Sequence, residues 1–139
     1  MEIGIAETDD EISKCYEVLA QLRPQLKKES FVALVRELMI TQGYKLIYLK
    51  DFEIKSVMGI RIGLWLHTGK YLEIEDLITS STERSNGYGM QLLNWAKEYA
   101  KSNKCNQVRL VSGVARDQAH KFYQNNGMSF EAKYFSIDL

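Results

Sequence analysis

Residues 71–93 read Tyr71-Leu-Glu-Ile-Glu-Asp-Leu-Ile-Thr-Ser-Ser-Thr-Glu-Arg84-Ser-Asn-Gly87-Tyr-Gly89-Met-Gln-Leu-Leu93, and they are the most informative segment of the chain. An apolar strand runs directly into a glycine-bearing loop, and an amphipathic helix follows. A helix that begins there points free backbone N–H groups and its positive end at the loop. Gly87 and Gly89 keep side chains away from those amides, and Arg84 adds a charge that can bind phosphate oxygens. The stretch therefore predicts a phosphate or pyrophosphate site, although a Gly-x-Gly turn is also consistent with plain loop geometry.

Two well-known phosphate-binding motifs do not fit this loop. The nucleotide P-loop requires Lys and then Ser or Thr after its last glycine, whereas Met90 and Gln91 follow Gly89. The dinucleotide fingerprint requires a third Gly or Ala where Leu92 stands, and it occurs at a first βαβ turn rather than deep in the chain. The loop must belong to another class of anion site.

The composition indicates one globular domain over residues 1–139. Apolar residues make up 45% of the chain, which is enough to build a core without disulfides or metal. The 18 Lys and Arg residues balance the 18 Asp and Glu residues, so no global field favours nucleic acid or an anionic membrane. We therefore expect neither as a partner, and any anion site must be local.

The two cysteines, Cys15 and Cys105, show no CxxC or Cys/His metal spacing, so we interpret them as reduced thiols and expect no metal site. The first residues form neither a basic region nor an apolar run of signal-peptide length. No segment approaches the length of a transmembrane helix. These features predict a cytoplasmic protein.

Hydrophobic periodicity predicts a strand, two helices, three strands, a helix, a strand, a helix and a strand, which is an α+β order with a mixed sheet. Thr8-Asp-Asp-Glu11 fits a capping box for the first helix, which Pro24 ends, and Ser30 is predicted to cap a second helix that Gly43 closes. The predicted strands are residues 3–5, 45–50, 55–62, 71–79, 107–111 and 134–139. The later helices are predicted at about residues 87–102 and 116–126, with Gly127 as the left-handed stop of the second.

This order of elements, with Arg84-x-x-Gly87-x-Gly89 after the fourth strand, resembles the GNAT superfamily of acyl-CoA N-acyltransferases, whose pyrophosphate loop reads (Gln/Arg)-x-x-Gly-x-(Gly/Ala). The segment Ala119-His-Lys-Phe-Tyr123-Gln-Asn-Asn-Gly-Met128 is similar to the superfamily's Ala-x-x-x-Tyr-x-x-x-Gly-Phe pattern. Two departures are Met128 in place of Phe, and Arg116 where many members carry an Asn that contacts the pantetheine arm. The resemblance implies a mixed sheet of six to seven strands flanked by about four helices, with central strands 4 and 5 splayed apart.

The resemblance also implies acetyl-CoA as cosubstrate. Its pyrophosphate would be held by a run of loop residues, namely Arg84, Ser85, Asn86, Gly87, Tyr88, Gly89 and Met90. The backbone of Leu77, Ile78 and Thr79 would pair with the pantetheine and polarise the thioester carbonyl. Neither a metal nor a covalent intermediate is required.

Attack of an amine on a thioester requires a base for the amine and an acid for the departing thiolate. Glu73, Glu75 and Asp76 crowd the fourth strand, where strict alternation places the first two on one face and Asp76 on the other unless a bulge intervenes. A solvated or ion-paired sheet face is the alternative interpretation of this cluster. We predict Glu75 as the base, with the other two behind it.

Tyr123 matches the superfamily's tyrosine, which implies that it is the acid; without the resemblance it would be an aromatic packing residue beside Phe122. His120 lies on part of the same helix face and is a further candidate for the base.

The predicted function is therefore an acetyl-CoA-dependent N-acetyltransferase acting on a small-molecule or peptide amine in a ternary complex. The alternative is a catalytically silent acyl-CoA-binding sensor or interaction module. In this superfamily the two N-terminal helices usually wall the acceptor site, and here they carry both signs of charge. A homodimer formed through the last strand is also possible on sequence grounds.

Overall fold

The computed structural model describes residues 1–139, which divide into two compact units, Met1–Arg109 and Leu110–Leu139. The strands are β1 (Glu2–Ile5), β2 (Lys45–Asp51), β3 (Glu53–Trp65), β4 (Gly69–Thr79) and β5 (Gln107–Leu110). The helices are α1 (Asp9–Lys14), α2 (Tyr16–Leu22), α3 (Lys28–Gln42), α4 (Tyr88–Ser102) and α5 (Asp117–Asn125), with a 3₁₀ helix at Ser81–Glu83. No helix is long and apolar enough to cross a membrane.

The strands form one mixed sheet in the order β1-β2-β3-β4-β5. The pairs from β1 to β4 are antiparallel. Short turns join β2 to β3 and β3 to β4, whereas α1, α2 and α3 lie between β1 and β2. Helix α4 then crosses over, so that β5 lies beside β4 as a parallel neighbour. The α+β class with a mixed sheet is confirmed, but the sheet has five strands, so the prediction of six to seven was wrong.

The missing strand is the one predicted at residues 134–139. Residues 128–139 contain no helix or strand, and Phe135, Ile137 and Leu139 are exposed. Alternation of apolar and polar residues indicates which face of a strand would be buried, but a strand forms only where a partner supplies the ladder hydrogen bonds. Pairing of this segment with a second copy stays an untested prediction.

The helix boundaries follow local signals with two corrections. The Thr8–Glu11 capping box is present, Gly43 closes α3 in the left-handed conformation (φ 67°), and α2 ends before Pro24. The first predicted helix is, however, divided at Cys15 into α1 and α2.

The predicted Ser30 cap was also wrong, because α3 begins at Lys28. The Ser30 hydroxyl instead donates to the Lys27 carbonyl at 3.4 Å. A serine within the first turn can bond back to a preceding carbonyl in this way and then caps nothing.

The sheet of the first unit separates two apolar layers. On one face Leu46, Tyr48, Val57 and Ile78 pack with Ile12, Val18, Leu19, Phe31 and Val35 of α1, α2 and α3. The alternate strand residues are also buried and face the other way, toward the buried face of α4; they include Ile47, Met58, Ile60, Leu72 and Ile74 on the strands and Leu92, Leu93, Ala96 and Ala100 on the helix. The helix predicted at about residues 87–102 is thus amphipathic as expected, although Met90 in its first turn is 45% exposed.

Candidate active site

The loop before α4 has the backbone of an anion site. Ser85 and Gly87 both adopt the left-handed conformation, with φ values of 72° and 77°. Gly87 is the N-cap of α4, no side chain caps the helix, and no acidic residue lies in its first turn. The first bond of the helix joins Gln91 N to Gly87 O at 3.1 Å, so the amides of the preceding residues carry no intrahelical bond. Successive amides in this conformation form a concave nest for anions.

Side-chain contacts hold the loop in place without using its main-chain amides. Asn86 Nδ2 donates to the Glu83 carbonyl at 3.1 Å, and Lys55 Nζ lies 3.0 Å from the Glu83 carboxylate. The Tyr88 hydroxyl donates to Asp51 Oδ2 at 3.4 Å. These bonds use side chains and leave the exposed Arg84 and the amides at the helix start free for a ligand.

A β-bulge decides where the β4 carboxylates point. Asp76 pairs with Gly59 and Ile74 pairs with Ile60, so Glu75 is the extra residue without a partner on β3. Because of the bulge, Asp76 contacts Tyr44, a core residue of the α1–α3 face. The bulge therefore overrides strict alternation and directs Asp76 to the same face as Glu73 and Glu75.

Each of the three carboxylates contacts a different arginine. Glu73 accepts from Arg109 Nε at 2.5 Å, Glu75 Oε1 accepts from Arg61 Nε, and Asp76 Oδ1 accepts from Arg23 Nε at 3.0 Å. In the register Arg61 lies opposite Glu73, which places that arginine on the same face. The ion-paired sheet face that was the alternative interpretation is thus present. The three carboxylates differ in their exposure and in how many of their oxygens accept hydrogen bonds.

Glu75 is the most accessible of the three. Its side chain is 33% exposed, against 10% for Glu73 and 15% for Asp76. Both oxygens of Asp76 have donors, since Oδ2 accepts from the Tyr44 hydroxyl at 2.8 Å. Glu75 Oε2 accepts no hydrogen bond from the protein, so it is free to receive a proton.

The backbone after the bulge is partly engaged. Ser56, which is fully buried, donates its hydroxyl to the Ile78 carbonyl at 2.9 Å and lies 3.0 Å from Thr79 Oγ1. Leu77 pairs with Met58 on β3. These contacts order residues 77–79 before any ligand binds.

The second unit contains the other two predicted residues. Burial raises the pKa of Tyr123, and the nearby Arg116 guanidinium acts in the opposite direction. The phenol therefore stays protonated, as a proton donor must. His120 Nε2 donates to the Gly113 carbonyl at 2.8 Å, a bond that occupies this nitrogen within its own unit.

Sequence reasoning missed the arginine partners. Arg61 and Arg109 lie on strands far from Glu75 and Glu73 along the chain, and Arg23 is the C-cap residue of α2. The available signal was the position of Arg61 and Arg109 on strands adjacent to β4. No local pattern specifies which carboxylate each arginine meets.

The sequence matches the model of the Acetyltransferase (GNAT) family over residues 11–128. It is 30% identical over 128 residues to a Bacillus subtilis (strain 168) protein named uncharacterized N-acetyltransferase YhdJ. The match covers 91% of this chain and 90% of that protein.

The sequence is also 25% identical over 128 residues to the aminoalkylphosphonate N-acetyltransferase of Salmonella typhimurium (strain LT2), covering 91% of this chain and 83% of the relative. A crystal structure of a GNAT family acetyltransferase from Staphylococcus aureus matches with a TM-score of 0.82 at 18% identity, covering 99% of this chain and 98% of the other. That structural match shows a shared fold.

Proposed function

This chain belongs to the GNAT acetyltransferase family, as its sequence resemblance predicted, and we propose that it is an acetyl-CoA-dependent N-acetyltransferase that acts on a primary amine. The acceptor is a small molecule or a peptide, and the acetyl group passes directly to it in a ternary complex. The two relatives named N-acetyltransferases support the enzyme over a silent binding module.

The observation that carries this proposal is the uncapped start of α4. Free amides, two left-handed residues and the absence of any acidic residue in the first turn suit a pyrophosphate group. Arg84 is exposed beside them and supplies a cation that can bind two phosphate oxygens. The residues present therefore fit the diphosphate of acetyl-CoA, which would be held from Arg84 to Met90.

Glu75 is proposed to remove a proton from the acceptor amine, directly or through a water molecule. The deprotonated nitrogen can then form its bond to the acetyl carbonyl carbon. The free Oε2 of Glu75 supports this assignment, because Asp76 has both oxygens occupied and Glu73 is buried against Arg109.

The remaining roles rest on the resemblance. The backbone of Leu77, Ile78 and Thr79 is proposed to pair with the pantetheine arm where β4 and β5 splay, and to polarise the thioester carbonyl. Tyr123 is proposed to donate its proton to the CoA sulfur when the carbon–sulfur bond breaks. The raised pKa of Tyr123 supports this role, since the phenol keeps its proton at neutral pH.

The proposed function is tested by following thiol release from acetyl-CoA with a panel of amines. The panel contains aminoalkylphosphonates, because one relative is named for them, together with amino sugars, polyamines and peptides. Acceptor-dependent release and an acetylated product found by mass spectrometry are expected. Binding of acetyl-CoA without turnover of any panel member would instead favour the silent acyl-CoA-binding module.

A further inference from the structure

We propose that Arg23 and Tyr44 are positioning residues that hold the β4 bulge and thereby present the Glu75 carboxylate to the acceptor. This inference rests on the proposed role of Glu75 as the base. Neither residue has a sequence motif, and neither is adjacent to β4 in the chain.

Arg23 joins two consecutive residues of the bulge. Its Nε donates to Asp76 Oδ1 at 3.0 Å, and its Nη2 donates to the main-chain carbonyl of Glu75, also at 3.0 Å. The second bond occupies a carbonyl of the residue that has no partner in the β3 register. A single planar guanidinium thus ties the end of α2 to both the backbone and the side chain at the bulge.

Tyr44 binds the Asp76 oxygen that Arg23 does not contact. Its side chain is buried, and its hydroxyl donates to Asp76 Oδ2 at 2.8 Å. Burial, followed by the charge of Asp76, raises the pKa of Tyr44 well above its usual value, so the hydroxyl remains a donor at any working pH. Asp76 is therefore held at both oxygens and acts as an anchor rather than as a base.

Gly59 makes this arrangement possible. It pairs with Asp76 across the two strands, and a Cβ atom at this position would collide with the Tyr44 hydroxyl and lie 2.6 Å from Asp76 Oδ2. The bulge, Gly59, Tyr44 and Arg23 form one connected unit, while the Glu75 carboxylate contacts Arg61 and stays 33% exposed. A shift of the bulge would displace the carboxylate, and displacements of about 1 Å can reduce a rate by roughly 10²-fold.

The test compares Arg23→Met with a matched control, Arg36→Met. Arg36 makes the same kind of double contact, to Asp9 Oδ1 at 2.9 Å and to the Glu7 carbonyl at 2.8 Å, and its side chain is 41% exposed against 42% for Arg23. The assay uses 2-aminoethylphosphonate or, if this is not acetylated, the panel amine with the highest kcat/KM. Arg23→Met should lower kcat by roughly 10–10²-fold with unchanged acetyl-CoA affinity, and Arg36→Met should leave kcat within about twofold.

A double-mutant cycle separates positioning from a general defect. In the Glu75→Gln background the Arg23→Met change should have almost no further effect on kcat, because the group that it positions is gone. Arg23→Lys should restore only part of the rate, since an ammonium lacks the planar fork, and Tyr44→Phe should lower kcat as Arg23→Met does. A kcat of Arg23→Met within twofold of wild type, or an equal loss in both backgrounds, would overturn the proposal.

A readout without turnover keeps this inference separate from the proposed function. If the wild-type protein acetylates no amine, the proposed function fails, and amide hydrogen exchange at residues 74–77 then decides the positioning role. Arg23→Met should increase exchange there at least about tenfold while Arg36→Met does not. Equal protection in both variants would overturn the structural part of the proposal.

Discussion

Glu73 on β4 accepts a hydrogen bond at 2.5 Å from Arg109 Nε on β5. The same guanidinium lies 3.7 Å from the ring centroid of Tyr71 and 4.0 Å from that of Trp65. The Arg109 cation is therefore held by two aromatic faces as well as by the carboxylate. This contact joins β4 to β5 four residues before Leu77, and it leaves Glu73 buried and ion-paired.

Arg109→Met should lower the free energy of unfolding by about 2–4 kcal/mol, because a buried carboxylate loses its partner and two rings lose their cation. Urea denaturation measures this change. Lys14→Met is the control, since its ion pair with Asp10 is exposed and should change the free energy of unfolding far less. Adding Glu73→Gln to Arg109→Met should recover part of the loss; no recovery would contradict the assignment to an unpaired charge.

Gly87→Asp should remove most of the acetyl-CoA affinity, which we expect to be micromolar in the wild-type protein, or about 8 kcal/mol of binding free energy. A Cβ at Gly87 meets no atom within 4 Å, so the loss arises from charge repulsion and from the left-handed φ of 77° rather than from a clash. Gly89→Asp should act similarly. Calorimetric titration measures the affinity.

The matched control for the loop is Gly43→Asp. Gly43 has a similar φ of 67° and equally open surroundings, but it closes α3 away from the loop. Its substitution should cost about 1–2 kcal/mol of stability through backbone strain and leave acetyl-CoA affinity unchanged. Equal affinities for Gly87→Asp and Gly43→Asp would remove the pyrophosphate from this loop.

Glu75→Gln should lower kcat by roughly 10²–10⁴-fold, the usual contribution of a general base, with acetyl-CoA affinity unchanged. The deficit should shrink as pH rises, because a growing fraction of the amine is deprotonated without help. Glu73→Gln is the comparison. It should lower the free energy of unfolding and reduce kcat less than Glu75→Gln does. Steady-state kinetics between pH 6 and about 10 would detect the difference; full activity of Glu75→Gln near pH 7 would move the role elsewhere.

Tyr123→Phe should lower kcat by about 10–10³-fold while leaving stability nearly unchanged, because the ring is kept and only the proton donor is lost. The deficit should be smaller for acyl donors whose thiols are more acidic than CoA. A variant that turns over normally with acetyl-CoA would show Tyr123 to be a packing residue.

Arg116→Gln tests the pH dependence of the acid. Burial raises the pKa of Tyr123 and the Arg116 charge partly offsets this, so removing the cation should raise the pKa further. An acid works only while protonated, and the alkaline limb of kcat should therefore move to higher pH, whereas Arg116→Lys should keep it in place. Movement to lower pH would contradict the assignment.

Only one of the two thiols should react readily in the native protein. Burial, with a contribution from the charge of Glu11, raises the pKa of Cys15 to about 12, so this thiol stays neutral and unreactive. Cys105 is partly exposed. A chromogenic disulfide reagent should titrate one thiol before unfolding and both in urea; two fast thiols in the native state would contradict the placement of Cys15.

Features that depend on residues a few positions apart could be predicted from the sequence alone. The Thr8–Glu11 capping box, the left-handed Gly43 and Gly127 and the opening of α4 at Gly87 all lie where the pattern predicted them. These caps and turns are set by bonds within about four residues, so local sequence can specify them. The resemblance to the family also rested on short motifs, namely the Arg84–Gly89 loop and the segment from Ala119 to Met128.

The differences among the carboxylates on β4 arise from tertiary contacts and could not be predicted. The bulge at Glu75 depends on the β3 register, and the arginines at 23, 61 and 109 arrive from three different elements. These contacts join residues that are distant in sequence, and each ion pair forms only where the fold brings both partners together. The predicted strand at 134–139 was wrong for the same reason, because a strand requires a partner that no local pattern can supply.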